Sequence, residues 1–171
     1  PPYAYLVPLQ QRDFPTAIRM LNILHQGGVD IEQARTSFHA DGVTYPEGTF
    51  VIRSAQPYRN HIRDLLDPQE YPDRKLYPGG PAEPPYDIAG WTLSYQMGVS
   101  VVRVMNPLQA DTRLLETIEF PQGRILGEGT AWISTNQTTN DFILLNRALR
   151  EGIPAAVITK EWKTNDSFYP P

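Results

Sequence analysis

Cysteine is absent from the 171 residues, and this absence excludes several kinds of chemistry at once. Without a thiol, the chain can form no disulfide, no Cys-type zinc site and no thiolate nucleophile. A cysteine hydrolase mechanism or a glutamine amidotransferase mechanism therefore cannot run on these residues.

Long apolar runs and an excess of positive charge are also missing. No apolar run approaches the roughly 20 residues that a membrane-spanning helix needs, so we expect no membrane span. The formal net charge is −4, with 15 Lys and Arg against 19 Asp and Glu. Because nucleic-acid-binding domains usually carry a basic stripe, we expect no nucleic-acid partner.

Sequence signatures of catalysis are equally scarce. The histidines His25, His39 and His61 stand in no His-Glu-x-x-His or His-x-x-Glu spacing, which would bring two ligands to one metal. The chain has no Gly-x-Ser-x-Gly elbow. The glycines at 123–130 precede a predicted strand, whereas a dinucleotide loop opens a helix. We therefore predict no catalytic residue, no metal and no cofactor in this chain, and keep an enzyme in its own right as a third possibility.

Proline, by contrast, is abundant, with 17 residues, roughly twice the usual share of about 5%. The prolines concentrate between Pro68 and Pro85, where tyrosines stand between them. Because aromatic rings can anchor such a segment to a surface, we predict an ordered or semi-rigid connection.

Strand and helix patterns alternate along the chain. A strand at 3–7, a helix at 14–26 and a strand at 29–34 form a βα unit, most economically with the two strands parallel. A hairpin near Asp41-Gly42 then leads into a strand at 49–53. The other predicted elements are helices at 60–66, 88–97 and 141–150 and strands at 99–104, 117–120, 131–134 and 155–159. The nearly all-apolar strand at 99–104 is typical of a central strand covered on both faces. We thus predict an α/β fold, an open, mostly parallel sheet flanked by helices.

The start and the end of the chain resemble each other. Leu145-Asn146, Gly152 and Tyr169-Pro170 each stand 124 positions after Leu21-Asn22, Gly28 and Tyr45-Pro46, and Trp162 and Asn165 keep the same offset from Phe38 and Asp41. We predict one α/β domain over 1–171, with a βαβ-type repeat unit at about 3–53, a connecting region at 54–130 and a partial second unit at about 131–171. The strand that follows Tyr45-Pro46 in the first unit has no counterpart before Pro171.

A polar and aromatic set is the best candidate for a ligand site. Gln56, Tyr58 and Arg59 follow a predicted strand directly, and open α/β sheets place ligand sites in such loops. Tyr86, Asp87 and Trp91 form the second half of the predicted set. The alternative is structural, since Tyr and Trp often bury their rings while their polar tips find partners.

Three stretches together carry a family resemblance. Tyr45 to Tyr58, Asp64 to Pro72, and Pro85 to Thr92 with Gln96-Met-Gly98 resemble the region C-terminal to the peptidase unit in large bacterial zinc-carboxypeptidase-like proteins of the M14 peptidase family. That region is similar to a class I glutamine amidotransferase-like α/β domain. The family's zinc ligands and general base belong to the upstream peptidase domain, and their motifs do not occur here, so no catalytic residue is carried over.

The resemblance implies a non-catalytic accessory domain of a secreted bacterial protein involved in proteolysis. We expect it to pack on the peptidase domain of the same polypeptide or to shape substrate access, with zinc held in that peptidase domain. The chain begins at Pro1 without an initiator methionine, so we expect it to be cut from a longer polypeptide. The resemblance to a secreted protein implies an extracytoplasmic location, periplasmic or secreted. The alternative is a binding module for a small-molecule, peptide or glycan ligand.

Overall fold

The computed structural model describes residues 2–84, 91–163 and 168–169. Its internal contacts divide the chain into two compact units, Pro1–Glu128 and Gly129–Pro171. None of the helices in the described ranges is long and apolar enough to cross a membrane.

The described part of the first unit contains a five-stranded sheet, a separate β-hairpin and three helices. The elements in chain order are β1 (Ala4–Val7), α1 (Phe14–Gln26), β2 (Glu32–Ala34), β3 (Phe38–Ala40), β4 (Val43–Tyr45), β5 (Phe50–Arg53), α2 (Arg59–Leu66), α3 (Leu93–Gln96), β6 (Val102–Val104) and β7 (Thr112–Leu114).

The five-stranded sheet has the order β6-β1-β5-β2-β7, and every neighbouring pair is antiparallel. The predicted open, mostly parallel α/β sheet is therefore wrong. β5 returns after the hairpin and inserts between β1 and β2, pairing with both. β1 and β2 do run in the same direction, since each is antiparallel to β5, but they are not neighbours. A local strand-helix-strand pattern could not reveal that a later strand separates them.

Local signals explain the bounds of α1, and its predicted range is confirmed. The Asp13 carboxylate accepts a hydrogen bond from the Thr16 backbone N–H at 2.9 Å, as an N-cap does. Pro15 lies in the first turn, where a helix does not need its missing N–H. The helix ends at Gly27, and Gly28 follows with a φ of +87°, a left-handed conformation that ends many helices.

Both faces of the sheet are covered, and this explains why all four residues of β1 are buried. On one face, Tyr5 and Ile52 pack in a cluster with α1 and α2. On the other face, Leu6 and Val51 pack in a cluster with the β3–β4 hairpin. The turn of that hairpin is Asp41-Gly42, with φ values of 46° and 80°, as a two-residue turn of type I′ requires.

The described part of the proline-rich connection is folded back on itself. Lys75 pairs antiparallel with Ala82, and the Gly80 backbone N–H donates to the Tyr77 carbonyl at 2.9 Å. Pro78 and Gly79 occupy the two central positions of this turn, and Gly79 has a φ of +77°, the arrangement that favours a type II turn.

Three other predictions for the first unit need correction. β6 is shorter than the predicted strand and lies at the edge of the sheet, with Arg103 exposed, because only β1 pairs with it. The predicted strand at 117–120 is not formed, and β7 pairs with β2 in its place. Of the predicted helix at 88–97, the described part is helical only at Leu93–Gln96, and residues 85–90 lie outside the described ranges.

The second unit contains α4 (Thr139–Arg150) and a short hairpin of β8 (Trp162–Lys163) and β9 (Phe168–Tyr169). Trp162 pairs with Tyr169 as Phe38 pairs with Tyr45, 124 positions earlier. The hydrogen bonds that end the helix recur at the same offset, from the Val29 N–H to the Leu24 carbonyl and from the Ile153 N–H to the Ala148 carbonyl.

The repeat therefore consists of a helix, its glycine turn and a hairpin, and its predicted βαβ form is wrong. The predicted strands at 131–134 and 155–159 are not formed in the second unit. No backbone hydrogen bond pairs these segments within the described residues, and a strand without a partner has no ladder to stabilise it.

Candidate functional site

The loop after β5 uses Gln56 to hold the neighbouring chain. Its Oε1 accepts a hydrogen bond from the Asp30 backbone N–H at 2.8 Å. Its Nε2 donates to the carbonyls of Asp30 at 3.2 Å and Arg53 at 2.7 Å. The Gln56 side chain thus binds both the backbone N–H and the backbone carbonyl of Asp30, as a residue on a neighbouring antiparallel strand would. These bonds hold the chain where it enters β2.

Tyr58 and Arg59 stand at the start of α2. The Tyr58 ring packs over Gly28, since a Cβ built on that glycine would lie 2.7 Å from Cε2 of the ring. His61, one turn further, packs over Gly27 in the same way, at 2.8 Å from its Nε2. The turn after α1 therefore needs glycine for close approach as well as for its backbone conformation. Arg59 is exposed.

Of the other half of the predicted ligand set, only Trp91 lies within the described residues, and it stands near the opposite end of α2. Tyr86 and Asp87 fall outside the described residues. Trp91 is partly buried and tilted against Tyr71, with 6.4 Å between ring centroids. The next residue, Thr92, donates from its hydroxyl to the Asp67 carbonyl at 3.1 Å. Since the eight residues of α2 span about 12 Å, the structure does not bring Gln56, Tyr58 and Trp91 into one site.

The carboxylate of Asp67, which follows α2, has several polar partners. The Tyr5 hydroxyl donates to its Oδ1 at 2.8 Å. The Arg63 Nε donates to Oδ2 at 3.3 Å, and a guanidinium nitrogen of Arg103 lies 3.7 Å from Oδ1. The carboxylate side chain is only 14% exposed, so these partners replace most of its water.

The Asp67 cluster, which we define as Tyr5, Arg63, Asp67 and Arg103, joins β1, α2 and β6. Burial, and then the hydrogen bond to Asp67, raise the pKa of Tyr5 well above its usual value. The phenol therefore stays protonated and serves as a donor, not as a base. Both guanidinium groups remain about half exposed, and they could meet an anionic group from solvent.

The Asp67 cluster carries little signal in the sequence. The Arg63–Asp67 spacing of i, i+4 is the one local signal, because it places the two side chains on the same face of a helix. Tyr5 and Arg103 lie on β1 and β6, which pair through these two residues. Their position beside Asp67 is a consequence of the sheet order, and no local pattern carries that information.

A second partly buried ion pair lies on the other face of the sheet. The Arg53 Nε donates to both carboxylate oxygens of Glu32, at 3.1 and 3.0 Å. The Thr112 hydroxyl also donates to Glu32. These contacts connect β5, β2 and β7. Because Arg53 and Thr112 occupy most of the acceptor capacity of the Glu32 carboxylate, little remains for another partner.

Two shallow grooves lie along the edge formed by β7. One has a volume of about 410 Å³ and is lined by Phe50, Gln33 and residues 113–119. The other, about 500 Å³, is lined by residues 33–35, Glu47, Gly48 and Arg113. Neither groove includes a residue of the predicted ligand set.

The histidines contact the backbone or neighbouring side chains. The two ring nitrogens of His25 lie 3.4 Å from the Val29 carbonyl and 3.1 Å from the Glu116 carbonyl. His39 pairs with the Thr44 hydroxyl at 2.9 Å. Within the ranges that the structure describes, no group of three or more His, Cys, Asp or Glu side chains could hold a metal ion.

Comparison with known proteins gives no match for this chain among protein-family models, curated proteins or solved structures.

Proposed function

We propose that this chain is a non-catalytic accessory region of a secreted bacterial zinc-carboxypeptidase-like protein of the M14 family. In this proposal the chain packs on the peptidase domain or shapes the access of peptide substrates to it. The proposal starts from the resemblance of the stretches 45–58, 64–72 and 85–92 with 96–98 to that family.

One observation carries the proposal: side chains from these stretches hold the fold together. Tyr45 stacks on Phe38 with 5.6 Å between ring centroids, Gln56 binds the backbone at Asp30, and Asp67 joins three elements. Side chains whose hydrogen-bonding capacity is satisfied internally support a scaffold better than they support acid-base chemistry.

The proposal is tested by combining the chain with its proposed partner. The peptidase domain of the parent polypeptide and this chain are produced separately, and their association is measured by calorimetry together with kcat and KM for peptide substrates. We expect saturable binding and a change in KM when the chain is added. No binding, with identical kcat and KM in both preparations, would refute the accessory role.

A ligand-binding module is the second candidate, and the surface beside Asp67 favours it. Tyr71 and Trp91 form an aromatic pair. Trp91 precedes Thr92, whose hydroxyl donates to the Asp67 carbonyl, and the two arginine partners of the Asp67 carboxylate are about half exposed. Aromatic faces and guanidinium groups recognise sugars and carboxylate-bearing peptides.

The test is a thermal-shift screen with sugars, peptides and nucleotides. A ligand that binds only the native state raises the unfolding midpoint, and the midpoint continues to rise with the ligand concentration. The Trp91→Ala variant should lose that shift, whereas Tyr95→Ala, which removes an exposed aromatic ring of α3, should keep it. A screen without any shift leaves the accessory role as the remaining proposal.

A further inference from the structure

The carboxylate of Asp67 holds two half-exposed guanidinium groups next to each other at the end of α2. The Arg63 Nε lies 3.3 Å from Oδ2, and the Arg103 Nη1 lies 3.7 Å from Oδ1. A guanidinium group carries five N–H donors. Within the ranges that the structure describes, the Arg63 Nε is the one donor of this pair that makes a hydrogen bond. Most donors of the two arginines are therefore available to a ligand.

The charges around this pair favour a singly charged ligand. The two arginines and the one carboxylate of Asp67 leave a net charge of +1. Asp64 and Glu70 add exposed carboxylates nearby in the sequence, and these oppose the approach of a polyanion. A phosphate group carries a charge of about −1.5 to −2, whereas one carboxylate matches the net charge and accepts a planar, bidentate contact from arginine.

The end of α2 itself does not oppose an anion. Carbonyl groups in the last turn of a helix carry partial negative charge. The Gln69 amide donates to three of them, at 3.4, 3.1 and 3.2 Å from the carbonyls of Arg63, Asp64 and Asp67. The Thr92 hydroxyl also donates to the Asp67 carbonyl, at 3.1 Å. Because these carbonyls already accept hydrogen bonds, their partial charge is largely compensated.

An aromatic surface is attached to the same end of α2. Trp91 is partly buried against Tyr71, which is 38% exposed. Thr92 is buried and has a φ of +49°, a conformation that a β-branched residue keeps only where its surroundings fix it. Its bond to Asp67 places the Trp91 Cα within about 12 Å of the Asp67 Cα. A small oligosaccharide bridges this distance.

We propose that Arg63, Arg103, Tyr71 and Trp91 bind a uronate residue of an acidic glycan. The guanidinium groups donate to the sugar carboxylate, and the apolar C–H face of the pyranose ring packs on the exposed aromatic surface. This inference rests on the ligand-binding module given above as the second candidate function, and it names the class of ligand.

A sugar acid fits these groups better than a peptide does. An extended peptide gains much of its affinity from main-chain hydrogen bonds to a strand edge, whereas the groups that converge at the end of α2 are side chains. A uronate needs partners for one carboxylate and a flat apolar surface for its ring. The arginine pair and the aromatic pair supply both.

The experiment titrates the full 171-residue chain with a trimer of galacturonate and follows binding by calorimetry. The matched control ligand is the same trimer with its carboxyl groups methyl-esterified, which keeps the rings and removes the charge. We expect saturable binding of the acid. The ester should bind about tenfold more weakly or worse, because the charge-assisted hydrogen bonds are lost.

Chain variants separate the planar contact from simple charge attraction. Arg103→Gln should weaken binding about tenfold or more. Arg103→Lys should weaken it nearly as much, because lysine keeps the charge but lacks the planar fork. Arg19→Gln removes an exposed arginine of α1 and should leave binding within about twofold. The ester control needs no substitution, so it remains valid even if a variant loses stability.

Three results would overturn this inference. The first is equal binding of the acid and the ester, or no binding of either. The second is an unchanged affinity in Arg103→Gln. The third is tighter binding of inorganic phosphate or of a glutamate tripeptide than of the galacturonate trimer. Thermal shifts with neutral sugars or peptides alone would overturn the uronate assignment and keep the binding module, whereas no shift with any ligand would remove both.

Discussion

The Tyr5 hydroxyl donates a hydrogen bond to Asp67 Oδ1 at 2.8 Å, across 62 positions of sequence. It is the contact through which the buried face of β1 holds the end of α2. Tyr5→Phe should lower the free energy of unfolding by about 1–2 kcal/mol, because a largely buried carboxylate loses its neutral donor. Urea denaturation measures the change.

Tyr3→Phe is the control for that substitution, since Tyr3 is partly exposed and its hydroxyl should contribute within about 0.5 kcal/mol. Equal stability of Tyr5→Phe and the unmodified chain would contradict the assigned role of the Asp67 cluster.

The stability of the unmodified chain and that of Tyr5→Phe should also respond differently to pH. Burial and the Asp67 contact raise the pKa of Tyr5, so its stabilisation is complete below the usual tyrosine pKa of about 10 and declines as pH rises further. The stability difference between the unmodified chain and Tyr5→Phe should therefore shrink above about pH 10.

Gln56→Ala should destabilise the first unit by about 1 kcal/mol, because three hydrogen bonds to backbone groups are lost. The amide of Asp30 should then exchange faster with solvent, as hydrogen exchange monitored by NMR will show. Arg59→Ala alters the neighbouring exposed side chain and should change stability by no more than about 0.5 kcal/mol. A larger effect of Arg59→Ala than of Gln56→Ala would overturn the structural role given to Gln56.

Gly28 and Gly42 distinguish two reasons why a position requires glycine: a left-handed backbone conformation and a close neighbouring side chain. Both have positive φ, but only Gly28 faces a neighbour, the Tyr58 ring. Gly42→Ala should cost about 1–2 kcal/mol from its backbone conformation, and Gly28→Ala should cost more because the ring must also move. Replacing Tyr58 with Ala in the Gly28→Ala background should remove the extra cost. Equal costs for the two glycines would show that the ring yields freely.

Asp141 makes the stability of α4 sensitive to acid. Although burial raises the pKa of this carboxyl group, hydrogen bonds from Thr135, Ser134 and Thr138 outweigh it and lower the pKa to about 2. A depressed pKa stabilises the helix above the unfolded value of about 3.9, and this stabilisation is lost as pH falls through about 2. NMR titration should show the Asp141 carboxyl group and the helical shifts of α4 changing together. Thr135→Val should raise that pKa, and a midpoint near 4 in the unmodified chain would contradict the capping network.

Local signals in the sequence predict the elements better than they predict the sheet. Asp13, Pro15 and the glycines after Gln26 define α1, and Asp41-Gly42 defines the hairpin turn, because each acts on its own neighbours. The antiparallel order depends on β5 entering between β1 and β2, a choice made by packing between distant residues. The Asp67 cluster was missed for the same reason.

The candidate ligand residues illustrate the same limit. Gln56 and Tyr58 follow a strand as a binding loop would, but they hold the turn after α1. Polar residues after a strand indicate a ligand site in parallel sheets, where strand ends converge, and that argument does not transfer to this antiparallel sheet. Trp91 lies at the other end of α2, beside a network that the sequence did not reveal.

The most direct measurement is the zinc content and C-terminal peptide hydrolysis of the 171-residue chain, compared with a longer polypeptide in which the proposed peptidase domain precedes it. The account predicts stoichiometric zinc and hydrolysis in the longer polypeptide and neither in the chain alone. Zinc bound stoichiometrically by the 171 residues, or hydrolysis catalysed by them alone, would contradict it.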